Sequence, residues 1–485
     1  MKRILTAVVL SCAVLSVWAG GNKNGGAFIT GKVTCEGKGI ENVVVTDGYR
    51  CVVTDKKGSY RIATLGDSRF VYISTPAGYL TECERTIPKF YHEIDLGKTN
   101  RYDFRLSKNP KEDINHMFIL EADVQAGLEE HWKLYAPIVE DGRELVKGYS
   151  DIDVFGLNCG DIFWDAPKKY FSAYMEQAEK YAFPIYRAIG NHDMDFYGRT
   201  HETSYRTFES FFGPTRYSFN KGKAHYIVVN DNFYVGREYF YIGYLDEATM
   251  KWLEEDLSHV PEGTLVFFIT HIPTRITEKA RPFSYNYSRL GGEVTNAEAV
   301  YRLLDKYETH FLSGHLHSNQ NIIFNDRHME HNTAAVCGIW WHGDVCADGT
   351  PQGYGVYEVE GNRVKWFYKS AGYPKDYQFR AYPIGASSQY PNDIIVNVWN
   401  WDKTWKVEWL EDGKNMGSMT QYEGIDPYAD QVCREKKKTI QSWIAAKNND
   451  HMFRATPVDT KSRIVIKVTD RFGNVYIQEL SKQAL

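Results

Sequence analysis

The eight cysteines of this chain are scattered, with no C-x-x-C spacing among them, so a zinc knuckle and a dithiol redox motif are both excluded. Charge of one sign is equally scarce. The net charge is −5, which leaves no broad basic field and gives no reason to expect nucleic acid as a partner. Beyond the first twenty residues no window approaches the ~18 consecutive apolar residues that a membrane helix needs, so no span is expected in the mature chain. Internal repeats and low-complexity tracts are missing as well. What remains is a folded protein: 43% hydrophobic and 25% charged residues do not describe a disordered chain. A length of 485 residues exceeds one ordinary core and suggests about three domains. Aromatics are abundant, at 15%. They suit strand packing, and they also suit surfaces that meet carbohydrate or lipid.

The N-terminus carries an address. "MKRILTAVVLSCAVLSVWAG" has two positive charges, an apolar run and Val17-Trp18-Ala19 before Gly20. A basic start, an apolar middle and small residues at the cut form the pattern of a secretory signal peptide. We therefore expect residues 1–19 to be removed and the chain exported, to a periplasm or the cell surface. "VLSC" offers a competing lipoprotein reading with Cys12 lipidated; against it, the apolar stretch continues past Cys12 to Trp18. Among the remaining cysteines, Cys35 could pair with Cys51, and Cys159 lies in an apolar strand as a buried thiol.

Three segments follow. Residues 28–107 read as short alternating strands, such as "ENVVVTDG" and "RFVYIST", separated by polar turns; this indicates a small β-sandwich. The run "GKVTCEGKGIENVVVTDG…TDKKGSYRI" resembles carboxypeptidase regulatory-like, transthyretin-like domains, and in that resemblance "TDKKGSY" is a hairpin turn. "SKNPKED" is a polar linker. From 113 to 370, apolar strand-like runs alternate with helical ones, which marks an α/β domain. From 375 to 485 the chain is β-rich again, with "DPYADQVCREKKK" as a helix inside it.

Polar residues in the middle segment gather where predicted strands end. "LEADVQ" supplies Asp123 and Gln125, "LNCGDIF" Asp161, "AIGNHDMD" Asn191, His192 and Asp193, "FFITHIP" His271, and "LSGHLHS" His315 and His317. Open α/β sheets bind ligands at the carboxyl ends of their strands, so these positions converge in space. Each piece alone is an ordinary turn; the set in this order is not. "DxQ…GD…GNHD…H…GHLH" resembles the calcineurin-like metallophosphoesterases over residues 115 to about 330, and the order of the three segments extends the likeness.

The resemblance implies a four-layer αββα sandwich flanked by two small all-β domains, with a two-metal centre. It implies that Asp161 bridges two divalent ions, that Asp123, Gln125 and His317 complete one site, and that Asn191, His271 and His315 complete the other. It implies hydrolysis of a phosphoester by metal-bound hydroxide, without a covalent intermediate, and leaves His192 off the metals as an acid oriented by Asp193. One position departs from the family pattern: Gln125 stands where D-x-H supplies an imidazole. An oxygen donor in place of nitrogen favours Mn²⁺, iron or Mg²⁺ over Zn²⁺. D-x-Q also occurs in the manganese-dependent ADP-ribose and CDP-alcohol pyrophosphatase branch, which points to a diester or pyrophosphate substrate, with a monoester as the alternative. His201 and Arg206 (with Tyr205) in the loop after the GNHD turn, and Trp341 with its neighbours Trp340 and His342, are candidate substrate contacts; core packing explains each equally well. Expected partners are small-molecule, glycan or lipid phosphoesters, and the sequence assigns no oligomeric state. The rival readings are a non-catalytic or weakly active surface or glycan-binding protein on the same scaffold, and a metallo-β-lactamase-type hydrolase. The second needs an H-x-H-x-D-H cluster that the sequence lacks.

Overall fold

The computed structural model describes residues 27–480 apart from 65–66, 238–239, 280, 283–284 and 438–439. The expected signal peptide and Cys12 lie outside the described residues.

In the N-terminal strand Phe28–Cys35 every second side chain is buried, so Ile29, Val33 and Cys35 share the inner face. That strand pairs with Ser59–Ala63 and Phe104–Lys108 in one sheet. Val44–Thr46 pairs with Cys51–Val53 and Phe70–Ile73 in the other. The turn "TDKKGSY" is held by Asp55, whose Oδ1 accepts the N–H groups of Lys57 and Ser59 at 2.8 Å each. It is not the expected hairpin. Its flanking strands belong to different sheets, so the turn carries the chain across the sandwich. Cys35 and Cys51 sit in those different sheets and are both free thiols, which removes the disulfide considered for them.

The middle segment builds two mixed sheets. The first runs in the order Ile185–Arg187, Asp153–Asn158, Asn115–Glu121, Gly353–Glu360, Arg363–Ser370; its first three strands are parallel. The second runs Tyr217–Lys221, Ala224–Val228, Leu265–Ile269, Glu308–Ser313, His328–Asn332, Gln320–Ile323, with parallel pairing through its four central strands. These strands read as nearly continuous apolar runs because both faces are covered. In Asn115–Glu121, Met117 and Ile119 meet Trp132, Tyr135 and Ile138 of the helix Glu129–Val146. Phe118 and Leu120 turn the other way, toward the second sheet. There the ring of Phe118 meets Phe267 edge-on with centroids 5.2 Å apart. On the far side, Val266 and Phe268 pack against Trp252 of Glu247–Leu257 and Val300 of Ala297–Leu304. The result is helix, sheet, sheet, helix. Truncating Phe118, fully buried between the sheets, would cost about 3–5 kcal/mol.

The C-terminal segment forms two four-stranded antiparallel sheets around Val396, Trp409, Phe453 and Ile466. Its helix, Pro427–Glu435, starts where Asp426 Oδ1 accepts the N–H groups of Tyr428 and Ala429, with proline at the first position, where a missing N–H costs nothing. Val432 and Cys433 of that helix pack on Ile339 and Val345 of the middle domain. Among the described residues no helix is long and apolar enough to cross a membrane.

Candidate metal centre

Asp123 follows Asn115–Glu121, Asp161 follows Asp153–Asn158, and Asn191 follows Ile185–Arg187. His271 follows Leu265–Ile269; His315 and His317 follow Glu308–Ser313. Both sheets therefore deliver polar side chains to one edge, at the carboxyl ends of parallel strands. The backbone there is strained. Asp123, Gln125, Asp161, His315 and His317 all have positive φ, at 54°, 37°, 53°, 72° and 51°, a region non-glycine residues rarely occupy. Such strain costs of order 1–3 kcal/mol per residue and persists where the surrounding structure over-determines it.

The side chains meet. One donor atom from each of Asp161, His271 and His315 lies within 4.8 Å of the others. His271 Nε2 is 3.1 Å from Asn191 Oδ1, 3.1 Å from His315 Nδ1 and 3.3 Å from Asp161 Oδ2. Its other nitrogen, Nδ1, is 2.8 Å from the Cys159 carbonyl and donates to it, which fixes the ring with Nε2 turned into the cluster, where it can ligate a cation once its proton is displaced. On the other side, His317 Nε2 lies 3.4 Å from Asp123 Oδ1, and Gln125 Nε2 donates to Asp161 Oδ2 at 3.0 Å. Asp123 Oδ2 accepts the His315 N–H at 2.8 Å, while its Oδ1 is buried without a hydrogen-bond partner.

Electrostatics point the same way. Burial raises the Asp161 carboxyl, but the charges of His271, His192 and His315 override it and hold it below the usual range. Burial lowers His271, yet Asp161 above all, then Asp123 and Asp231, lift it to about 10. Burial and the charge of His271 push His315 down to about 3. Two buried carboxylates thus demand a cation, and one imidazolium meets that demand when nothing else does. An orphaned carboxylate oxygen beside neutral imidazole and amide donors is the donor set of a divalent ion.

The turn Gly190–Asp193 needs a correction. Asp193 does not orient His192. Its Oδ1 accepts the Phe163 N–H and its Oδ2 the Gly190 N–H, both at 2.9 Å, so it staples the turn. With Asp161 nearby, burial lifts its carboxyl to about 7. The partner of His192 is Asp165, in hydrogen-bond contact with Nδ1. Three further expectations change. His201 is buried, its Nδ1 accepts the Tyr234 N–H at 3.3 Å, and its ring stacks on Phe233; it is a packing residue. Arg206 lies 3.4 Å from Glu209 and lines a separate cavity of about 640 Å³ against the N-terminal sandwich, whose walls include none of the seven clustered residues. Trp341 is 8% exposed, and its Nε1 donates at 2.9 Å to the Val124 carbonyl, between Asp123 and Gln125, so it props the loop from behind.

Models of the calcineurin-like phosphoesterase match along the chain: the N-terminal domain at residues 27–109, the phosphoesterase domain at 118–319 and the C-terminal domain at 330–476. The chain belongs to the calcineurin-like phosphoesterases. It is a metal-dependent phosphoric ester hydrolase. Solved structures similar to this phosphoesterase include a dimetal phosphatase from Danio rerio, 14% identical with a TM-score of 0.39, over 53% of this chain and 96% of that one. A 5'-nucleotidase from Candida albicans is 13% identical with a TM-score of 0.32, over 53% of this chain and 51% of that one. No curated protein matches. Sequence reasoning missed Asp165, four residues after Asp161 in "GDIFWDAP". It also missed Cys337, whose Sγ lies 3.6 Å from His317 Nδ1 and 3.7 Å from Gln125 Oε1; neither residue carries a spacing signal of its own.

Proposed function

We propose that this phosphoesterase is an exported enzyme that hydrolyses phosphodiester or pyrophosphate bonds with two divalent ions. The observation that carries the reading is the buried cluster itself. Asp161, Asn191, His271 and His315 would hold one ion; Asp123, Asp161, Gln125 and His317 would hold the other. When bound, two such ions supply Lewis acidity toward phosphate oxygens and lower the pKa of a water. Asp161 stands between both donor sets, which suits it to bridge them. Among the residues, His192 carries the proton chemistry. Burial disfavours its charged form, but Asp161, then Asp165, raise its pKa above the ordinary value, which favours the proton-carrying ring. Asp165 fixes Nδ1 and leaves Nε2 to deliver a proton to the departing alkoxide. The cluster holds no serine, and burial pushes the Cys337 thiol well above its ordinary pKa, away from the thiolate a nucleophile needs, so water attacks directly.

Gln125 supports manganese or iron over zinc, and its D-x-Q context supports a diester or pyrophosphate over a monoester. Export rests on the pattern of residues 1–19, and it brings phosphoesters of lipids, glycans and scavenged nucleotides within reach. One observation favours a weakly active binding protein instead: Gln125 Nε2 donates to Asp161, which competes with a cation at that site. Hydrolysis of bis-p-nitrophenyl phosphate, p-nitrophenyl phosphate and an alkyl pyrophosphate, measured after chelation and after adding Mn²⁺, tests the proposal. We expect metal-restored activity and higher kcat/KM for the diester and pyrophosphate. A monoester preferred tenfold or more, a gap of about 1.4 kcal/mol, would overturn the substrate class; no metal-dependent turnover at all would favour the binding protein.

A further inference from the structure

The C-terminal domain reaches the metal centre at two points. Trp443, 57% exposed, sets its edge against Trp340 with ring centroids 4.6 Å apart at 88°. Trp340 in turn lies flat on His317, 4.2 Å away at 21°. Trp340 has φ of 45° and Trp341 of 64°, so this pair, like the clustered residues, is held in strained backbone. Four residues beyond Trp443, Lys447 is anchored by its own N–H, which donates to the Ala347 carbonyl at 2.8 Å. Its ammonium donates at 3.4 Å to the carbonyl of Leu316, the residue between His315 and His317.

An ammonium has three N–H donors, and the Leu316 carbonyl takes one. Lys447 forms no ion pair among the described residues. The nearby acid Asp348 is occupied by the N–H of Asn319, the N–H and hydroxyl of Thr350, and His451. Burial disfavours the ammonium, while Asp348 and, within the centre, Asp123 attract it; Asp123 is an acid that divalent ions would neutralise. Two divalent ions against Asp123 and Asp161 leave an excess of positive charge, which one phosphate and a hydroxide already neutralise. A further fixed cation beside them repels the ions unless a second anion arrives with the substrate. The exposed Trp443 ring, through Trp340, stands over the His317 side of the same loop.

We propose that Lys447, together with Trp443, forms a subsite for a second phosphate of the substrate, next to the one that is cleaved, and so selects pyrophosphate-type compounds. The proposal rests on the diester or pyrophosphate reading above and sharpens it. It is tested on the full chain with Mn²⁺ in excess, by calorimetric binding and by inhibition of bis-p-nitrophenyl phosphate hydrolysis, with methylenediphosphonate and inorganic phosphate as the two probes. Lys447→Ala should weaken methylenediphosphonate at least about tenfold, the loss expected for one charge-assisted hydrogen bond. Inorganic phosphate binding and manganese content should change less than about twofold, and Lys447→Arg should restore most of the loss. Trp443→Ala should weaken methylenediphosphonate severalfold. Equal losses for both probes would reduce Lys447 to a support for the His315–His317 loop, and no loss for either would remove the subsite; both overturn the proposal. Failure of bis-p-nitrophenyl phosphate hydrolysis in the unmodified chain would count against the reaction assigned above, while calorimetry would still decide the subsite.

Discussion

Asp165→Asn separates the two acids that flank His192. In the wild type, Asp165 meets His192 Nδ1, with side-chain exposures of 22% for His192 and 17% for Asp165. A charge-assisted hydrogen bond is worth about 1.5–3 kcal/mol, and partial exposure places this one at the lower end, about 1.5–2 kcal/mol. If His192 donates a proton to the leaving group, that energy is felt in the transition state only when the leaving group needs the proton. The expected loss in kcat is therefore roughly 10- to 30-fold for an alkyl leaving group and small for p-nitrophenolate, which departs without help. Asp193→Asn should behave in the opposite way. Its two oxygens accept backbone N–H groups at 2.9 Å each. An amide satisfies only one of them, at a cost of about 1–3 kcal/mol in stability, and both substrates should slow by a similar factor. The assay is kcat for paired alkyl and aryl diesters, with a thermal melt of each variant. If Asp165→Asn slowed both substrates equally, His192 would not be the acid, and its contact with Asp165 would be structural.

Asp161→Asn should abolish metal-dependent turnover while the protein stays folded by circular dichroism; near wild-type turnover would refute the two-ion assignment. Gln125→His should shift preference from Mn²⁺ toward Zn²⁺, read as kcat/KM with each ion after chelation, and stoichiometric zinc at both sites of the purified wild type would contradict it. His116 is fully buried between Asp113 and Tyr226, and burial depresses its pKa from 6.5 to about 4. Because the folded pKa lies below the unfolded one, its neutral form supports the fold above pH 6.5, and that support is lost as pH falls toward 4, by about 3 kcal/mol. His116→Gln should flatten the melting temperature over that window, and an unchanged slope would exclude His116 as the cause.

Residues that chemistry constrains were readable in the sequence; residues that only geometry brings together were not. Asp123, Asp161, His271, His315 and His317 could be picked out because buried acids and imidazoles at the ends of apolar strands have few bland explanations. Their order also matched that of a known family. Asp193 was misassigned because adjacency in sequence suggested adjacency in space. In the tight turn Asn191–Asp193, with about three residues per revolution, consecutive side chains diverge by about 120°, so Asp193 points back to the Phe163 N–H while His192 faces Asp165. The turn "TDKKGSY" failed for a related reason. Asp55 closes the turn locally, but the partner sheets of its flanks are set by packing, which no local signal encodes. Trp443 and Lys447 lie more than a hundred residues beyond the loop they touch, in a domain the sequence marks only as β-rich, so nothing local tied them to the centre.

Gln125 is the one position of the centre that departs from the family pattern, and its contacts explain why a glutamine can stand there. A histidine at this position would offer one nitrogen lone pair in a fixed plane. The amide offers an oxygen to a cation and an N–H₂ group to an anion, and rotation about its last bond exchanges the two. In the structure the N–H₂ group faces Asp161 Oδ2 at 3.0 Å, while Oε1 faces Cys337 Sγ at 3.7 Å. The amide thus satisfies Asp161 Oδ2 with a hydrogen bond as long as no ion sits against it. To ligate, it must give up a hydrogen bond to a charged acceptor, worth about 1.5–3 kcal/mol. Rotation then brings its N–H₂ to the Cys337 side, where sulfur accepts only weakly. In the donor set with Asn191, His271 and His315, the Cys159 carbonyl already turns His271 Nε2 toward the cluster, and an ion there would displace the proton that the acids hold on that ring. On the Gln125 side an ion would therefore displace a hydrogen bond, and on the His271 side a proton, so lowering the pH should oppose metal binding chiefly at the His271 side.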